Sequence, residues 1–325
     1  MTRSTRYFMT GSAAILAAGL CTGLVAYYGG GFQPVSASTG PTELKFIPAD
    51  AAVIAYADVG AIMNSELRQQ IKAAMPAHEQ GQEEFQRETG IDIERDIQYV
   101  VAAVTPGTKS ALLVARGNFN PTLLESLALE HGGAVETYRD KRLVSKADLG
   151  HDGNSGTLAF LEPGLVAIGD TATVKRAIDA QLSATSVTSN DEIMTLVSQI
   201  EQGNNAWSVG RFDVLTSQAK LPEQIARQIP PVKWFAAAGH INGGVSGMVR
   251  VEATDDQAAE LLRRQVNGAL AFGEMMGRND PRAAAALSSM QMTGTGKTVQ
   301  ISFTVPAELL HMVIPKHDVA LEQQQ

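Results

Sequence analysis

Cysteine is almost absent from this sequence, because Cys21 is the one cysteine among 325 residues. A disulfide needs two cysteines, so the chain can form none within itself. Residues 22–325 also lack a thiolate metal site and a thiol nucleophile. A body without cysteine is compatible with an oxidising compartment. The scarcity of cysteine therefore excludes intrachain disulfides from the whole chain, and thiolate metal sites and cysteine nucleophiles from residues 22–325.

Basic residues are also in short supply. The chain has 26 Lys and Arg against 34 Asp and Glu. Its first 37 residues hold two arginines and no acidic residue, which leaves 24 basic and 34 acidic residues, a net charge of −10, for the remainder. Nucleic-acid phosphates require clustered Lys and Arg, so we expect no nucleic-acid partner. The acidic excess favours solubility.

Charge is missing altogether between Arg6 and Glu43. Residues 8–28 form a mainly apolar stretch that, as a helix, is long enough to cross roughly 30 Å of hydrocarbon. Because the positive charges precede it, the N-terminus is expected in the cytoplasm and the C-terminal domain on the periplasmic side. Residues 1–28 are thus predicted to be a single-pass signal-anchor in the cytoplasmic membrane. Its apolar and interfacial residues are Phe8, Ile15, Leu16, Leu20, Leu24, Val25, Tyr27 and Tyr28.

A cleaved signal peptide is the alternative to this anchor. Val35-Ser36-Ala37 resembles a small-residue cleavage site, and cutting there would release a secreted or periplasmic protein. Gly, Ser, Thr and Pro dominate residues 29–43, which are therefore predicted to be a flexible linker.

Beyond the linker, predicted strands and helices follow one another in an order that repeats. Strand, turn, strand and helix over residues 97–130 recur over residues 232–265. We expect a first half at 44–204, a second half at 205–316 and a polar C-terminal tail at 317–325. The predicted fold class is α+β, with two similar tandem halves built of antiparallel sheets with helices packed on one face.

The start of this body contains two structural motifs. "LKFIPADAAVIAYADV" has a Pro-Ala-Asp turn leading into a strand, and "FQRETGIDIERDIQYVVAAV" has a Thr-Gly-hydrophobic-Asp turn before the next strand. Over residues 44–120 the chain resembles a loosely defined group of uncharacterised bacterial membrane-anchored envelope proteins. The resemblance implies an exported, anchored protein without an assigned activity, and it transfers no catalytic residue.

A nucleotide site is suggested by Gly296-Lys297-Thr298, which matches the end of a P-loop. The first glycine of that motif would fall at position 291, which is Gln291, and a helix would have to begin at the lysine. "TVQISFTV" follows instead and alternates like a strand. The glycines are therefore predicted to form the turn of a β-hairpin, with no bound nucleotide.

Other candidate sites also fail on spacing. In "DLGHDGNSGT" (148–157), a calcium loop starting at Asp148 would need an acid at Ala159, and Gly153-Asn154-Ser155-Gly156 is one residue short of a nucleophile elbow. In the acid-rich segment 83–97, arginines are interspersed among the acidic residues. We therefore predict that this segment forms a solvent-exposed surface and a turn. No histidine pair has metal-ligand spacing. The histidines are His78, His131, His151, His240, His311 and His317.

Two neighbouring aromatic residues, Trp234 and Phe235, lie in a predicted strand and should point to opposite faces of the sheet. An aromatic side chain that points away from the core would either pack beneath a helix or contact a ligand. Packing beneath a helix is the more common role of such a residue, and we expect it here.

These observations favour a non-enzymatic extracytoplasmic envelope protein that acts as a binding or scaffold module. We expect no catalytic residue, no cofactor and no metal ligand, and a second envelope protein is a possible partner. One alternative is an envelope hydrolase with a site assembled from dispersed residues. Another is an accessory subunit of a membrane complex, packed through Gly19-x3-Gly23.

Overall fold

A computed structural model describes residues 41–74, 86, 90–108, 111–130, 132–146, 156–200, 203–214, 229–277 and 287–306. Within these residues, twelve strands form one antiparallel sheet. The strands are β1 (Val53–Ala57), β2 (Ile97–Val104), β3 (Leu112–Gly117), β4 (Ala134–Tyr138), β5 (Lys141–Lys146), β6 (Gly156–Glu162), β7 (Leu165–Asp170), β8 (Ala206–Arg211), β9 (Val232–Ile241), β10 (Gly244–Ala253), β11 (Gln291–Thr293) and β12 (Thr298–Pro306).

Seven α-helices and two short 3₁₀ turns accompany the sheet in the same residues. The helices are α1 (Val59–Met63), α2 (Glu66–Ala74), α3 (Ile93–Asp96), α4 (Pro121–Glu130), α5 (Thr171–Leu182), α6 (Asp191–Ser198) and α7 (Asp256–Gly277). The 3₁₀ turns are η1 (Thr42–Phe46) and η2 (Val187–Ser189). The predicted mixture of helices with antiparallel strands is confirmed.

The strand order is β11-β12-β10-β9-β8-β1-β2-β3-β7-β6-β5-β4, with antiparallel pairing throughout. In the middle, β1 pairs with β8, so that Val53 lies opposite Gly210 and Ala57 opposite Ala206. The strands therefore belong to one continuous sheet rather than to the separate sheets expected from the sequence. Because β8 is buried along five of its six residues, it is suited to the interior of a sheet covered on both sides.

Alternate residues of β1 belong to different hydrophobic clusters. Ile54 and Tyr56 point to one side, called face A here, and Val53 and Ala57 point to the other, called face B. On face A, the largest cluster joins Ile54 to buried residues of α5 and α6. On face B, the smaller clusters join the sheet to α1 and α7.

Helices therefore cover both faces, and the prediction of helices on one face is wrong. The physical reason is that strands apolar on both sides expose hydrophobic surface unless each side is covered. On face A, α5 begins where the Asp170 carboxylate accepts a hydrogen bond from the Thr173 amide at 2.7 Å. Its residues Val174, Ala177 and Ile178 are fully buried against the sheet.

The predicted hairpin at residues 291–300 is confirmed. Strand β11 pairs with β12 through Met292 opposite Ile301, and a strand rather than a helix follows Lys297. Gly294 has φ = 103°, and a Cβ atom there would lie 2.4 Å from the Thr298 carbonyl oxygen. The turn therefore needs a glycine for its backbone conformation.

Candidate functional site

A groove on face A lies between helix α6 and strands β9 and β10 and has a volume of about 270 Å³. Its helical wall presents Glu192, Thr195 and Leu196 of α6, followed by Gln199. Three of these four side chains are polar. The wall can therefore offer hydrogen-bonding groups as well as an apolar contact.

Local capping and packing fix α6 in this position. The Asn190 side-chain oxygen accepts a hydrogen bond from the Ile193 amide at 3.2 Å, which is a typical N-cap. The Asn190 amide nitrogen also donates to the Ala49 carbonyl oxygen at 2.9 Å. Ile193 and Val197, one helical turn apart, are buried in the face A cluster. This packing turns Thr195 and Gln199 toward the groove.

The floor of the groove is apolar. Trp234 is 9% exposed and Ala236 is 3% exposed, and both lie in the same cluster as Ile193. Phe235 is buried on face B, where its ring contacts Phe212 edge-on at 6.3 Å between centroids. The prediction that Trp234 and Phe235 point to opposite faces is confirmed. Trp234 packs beside a helix and also lines the groove.

The rim contains charges of both signs. The Lys233 ammonium lies 5.4 Å from the Trp234 ring centroid and 3.7 Å from a Glu192 carboxylate oxygen. Arg250, half-buried, and Glu252, exposed, are two residues apart on β10 and point into the same groove. Neither side chain forms a hydrogen bond or ion pair with the residues that the structure describes, although both backbones pair within the sheet. The groove thus offers an aromatic floor, one cation and one anion to a ligand.

A second charged cluster lies deeper on face A, around Glu43 of η1. One Glu43 carboxylate oxygen accepts hydrogen bonds from Arg116 Nε at 2.9 Å, Arg116 Nη2 at 2.7 Å and the Tyr99 hydroxyl at 3.0 Å. Glu43 is only 1% exposed. Burial, followed by the negative charge of Glu43, raises the pKa of Tyr99 to about 12. We call these three residues the Glu43 cluster.

The Glu43 cluster is tied to a neighbouring ion pair. Glu162 lies 3.7 Å from Arg116 and 2.8 Å from the Lys45 ammonium. The hydrogen bond from Lys45 lowers the pKa of Glu162. Because donors already surround the Glu43 carboxylate, the cluster acts to fix η1 on the sheet. The sequence gives no local sign of it, since Glu43 and Arg116 are 73 residues apart.

Several candidates from the sequence fall outside the described residues. These are the predicted anchor residues Phe8, Ile15, Leu16, Leu20, Leu24, Val25, Tyr27 and Tyr28, the acidic loop at 148–155 and five of the six histidines. The sixth, His240, is exposed at the end of β9, with Nδ1 2.8 Å from the Gly203 carbonyl oxygen.

The acid-rich turn before β2 has a structural role at its described positions. Asp92 accepts a hydrogen bond from the Glu94 amide at 2.9 Å and so caps α3. Glu94 forms an ion pair with Arg68 at 2.8 Å. The Asp92 cap agrees with the turn predicted for this segment. The prediction of an exposed face does not hold for these two carboxylates, because both are half-buried and Glu94 pairs with a residue 26 positions away.

Within the described ranges, no three His, Cys, Asp or Glu side chains are close enough together to bind a metal ion. Also within them, no helix combines the length and the hydropathy needed to span a bilayer.

Comparison with known proteins identifies similar folds only. No protein-family model and no curated protein matches the chain. Crystal forms I and III of TP0453 both align with a TM-score of 0.51 and 11% sequence identity. Each alignment covers 85% of this chain, and 97% and 98% of the respective TP0453 chains. At this level of identity the likeness shows a shared fold and no shared activity.

Proposed function

We propose that this protein is a non-enzymatic binding module of the cell envelope, held at the periplasmic side of the cytoplasmic membrane by residues 1–28. The support for export is the uncharged stretch 8–28, preceded only by Arg3 and Arg6. The predicted linker, 29–43, would connect this anchor to the folded body, but its last two residues already belong to η1, so the linking segment ends at Pro41.

The Glu43 cluster supports the tethered arrangement. Glu43 lies at the end of the predicted linker and is the first acidic residue of the chain. It is buried against Arg116, a residue of the sheet. The buried ion pair fixes the position at which the linker joins the folded body. A fixed attachment point is suitable for a domain that is anchored to a membrane.

Binding is assigned to the groove beside α6. The observation that supports this assignment best is a pair of charges, Arg250 and Glu252, that have no partner among the described residues and lie beside an aromatic floor. Ligand sites are typically concave and mostly apolar, with a few polar groups that orient the ligand. Trp234 and Ala236 provide the apolar floor, and Arg250 and Glu252 provide the orienting groups.

We further propose that the body consists of tandem halves that meet near residue 204. Reading outward from the centre, the strand order β1, β2, β3, β7, β6 has a counterpart in β8, β9, β10, β12, β11. The second series lacks partners for β4 and β5 in the described residues. With this boundary, α6 belongs to the first half and β9 to the second, so the groove lies between the halves, where ligand sites are frequent.

Export and anchoring are tested together with an alkaline phosphatase fusion after Gln325. The proposal expects an active phosphatase in intact cells, retained in the membrane fraction after a high-salt wash, on a chain with its intact N-terminus. A matched fusion that lacks residues 1–28 should be inactive. A mature chain that starts at Ser38 in the soluble fraction would replace the anchor with the secreted alternative. An inactive full-length fusion would contradict export.

A further inference from the structure

We propose that the groove binds a small zwitterion with an apolar side group, such as an α-amino acid or a short peptide, with its carboxylate on Arg250 and its ammonium on Glu252. The inference rests on the proposed function, because it takes the groove as the binding site. It adds the chemical class of the ligand and the residues that recognise each end.

The first argument is the unusual state of Arg250. Ten arginines lie in the described part of the chain, and nine of them form an ion pair or a hydrogen bond there. Arg250 is the exception, although it is half-buried. A half-buried guanidinium with no acceptor among the described residues keeps its hydrogen-bonding capacity free, and a bound carboxylate could accept two parallel hydrogen bonds from it.

The second argument is the position of Glu252. It follows Arg250 by two residues on β10, so both side chains point to face A with their Cα atoms about 7 Å apart. Their cross-strand neighbours on β9 are Ala236 and Trp234 respectively. The small Ala236 side chain leaves space beside Arg250, and Trp234 offers an apolar surface next to both charges.

The third argument is the charge balance around the groove. Glu192 and Lys233 lie 3.7 Å apart and offset each other. Among the described residues, this leaves one cation without a partner, Arg250, and one anion without a partner, Glu252. A purely anionic ligand would be repelled by Glu252 and a purely cationic ligand by Arg250, whereas a zwitterion complements both.

Size and polarity narrow the class further. The volume of about 270 Å³ lies below the roughly 300–1,000 Å³ that is usual for drug-sized ligands. Leu196 and Trp234 provide contacts for an aliphatic side group, and Thr195 and Gln199 can hydrogen-bond a polar backbone. These features favour a ligand no larger than one or two amino-acid residues.

The test removes each charge from either the ligand or the protein. L-leucine, N-acetyl-L-leucine and L-leucinamide are titrated calorimetrically into the full-length protein in detergent micelles. We expect leucine to bind most tightly, with about tenfold weaker binding when either end is neutralised. In Arg250→Gln the preference for leucine over leucinamide should disappear. In Glu252→Gln the preference for leucine over N-acetyl-leucine should disappear.

Arg264→Gln is the matched control, since this arginine is 72% exposed on α7 and belongs to no part of the groove. It should bind like the wild type. Unchanged unfolding midpoints for all three variants would exclude a folding defect. Glycyl-L-leucine, compared with leucine, distinguishes a dipeptide ligand from a free amino acid.

Equal binding of leucine and both neutralised compounds, or an unchanged preference in Arg250→Gln, would overturn the zwitterion assignment while leaving the groove as a binding site. Failure of all four compounds to bind would overturn the assignment as well. Neither result bears on the proposed export and anchoring, because the phosphatase fusion tests those independently.

Discussion

Two regions of face A use the same residue types in opposite ways. In the Glu43 cluster, a glutamate and an arginine are buried together, and one carboxylate oxygen accepts three hydrogen bonds. In the groove, Arg250 and Glu252 lie on one strand without a partner in the described residues. The difference shows that the number of donors and acceptors already satisfied, rather than residue type, separates a structural charge from one available to a ligand.

The largest expected effect comes from Arg116→Gln. This change leaves the buried Glu43 carboxylate without its cationic partner, which should lower the free energy of unfolding by about 3–5 kcal/mol. Urea denaturation at pH 7 measures the change. Arg250→Gln, the same substitution in the groove, is the matched control. A loss below about 1 kcal/mol in Arg116→Gln would mean that the Glu43 cluster contributes little.

An intermediate effect is expected for Tyr99→Phe. The change removes one hydrogen bond to the Glu43 carboxylate and should cost about 1.5–3 kcal/mol, as is usual for hydrogen bonds to charged groups. Urea denaturation of the variant beside the wild type measures this cost. A variant as stable as the wild type would show that the Tyr99 hydroxyl is replaced by water without loss.

The same variant should change the response to alkaline pH. The pKa of Tyr99 is raised from 10.0 to about 12, so the hydroxyl keeps its proton longer in the folded than in the unfolded chain. Its contribution is therefore intact below pH 10 and is lost as the pH rises from 10 toward 12. Unfolding free energies measured across this window should fall less steeply in Tyr99→Phe. If the unfolding free energies of Tyr99→Phe and the wild type fell in parallel across this window, the loss of stability at alkaline pH would come from other groups.

A smaller effect is expected at the border of the cluster. Lys45 and Glu162 are 43% and 30% exposed, so solvent screens their ion pair. Lys45→Met should cost less than about 1 kcal/mol at pH 7. Because Lys45 lowers the pKa of Glu162, the contribution is present at neutral pH and lost as the pH falls through that depressed pKa. A cost as large as that of Arg116→Gln would contradict the distinction between buried and exposed pairs.

The smallest effect on stability is expected for Arg250→Gln. Because its guanidinium has no partner in the described residues, the free energy of unfolding should change by no more than about 0.5 kcal/mol. Urea denaturation in the absence of ligand checks this value. A loss similar to that in Arg116→Gln would show that Arg250 is a structural residue, and the contrast between the two regions would fail.

Local patterns in the sequence predicted local structure well. The Gly-rich turn before Thr298 and the alternation of "TVQISFTV" predicted the hairpin of β11 and β12, because both signals come from adjacent residues. Strand periodicity likewise predicted the opposite orientations of Trp234 and Phe235. Each of these features depends on the backbone geometry of a few neighbouring residues.

Features that depend on distant contacts were missed. Glu43 looked like the end of a linker, because its partner Arg116 is 73 residues away. The packing of α6 against β9 requires residues about 40 positions apart in the sequence to meet. The single sheet, with helices on both faces, depends on the pairing of β1 with β8, and no local signal specifies that pairing.

The two tryptophans of the chain provide the most direct test of the contrast between the two regions. Trp207 stacks on Tyr56 with 5.6 Å between the ring centroids. The Tyr56 ring in turn lies 6.0 Å, centroid to centroid, from the ring of Tyr99 in the Glu43 cluster. Trp234, by contrast, lines the groove. The indole N–H resonances of ¹⁵N-labelled full-length protein are recorded during titration with L-leucine. We predict that the Trp234 resonance shifts with saturation while the Trp207 resonance stays in place. A shift confined to Trp207, or no shift in either resonance, would contradict the assignment of binding to the groove.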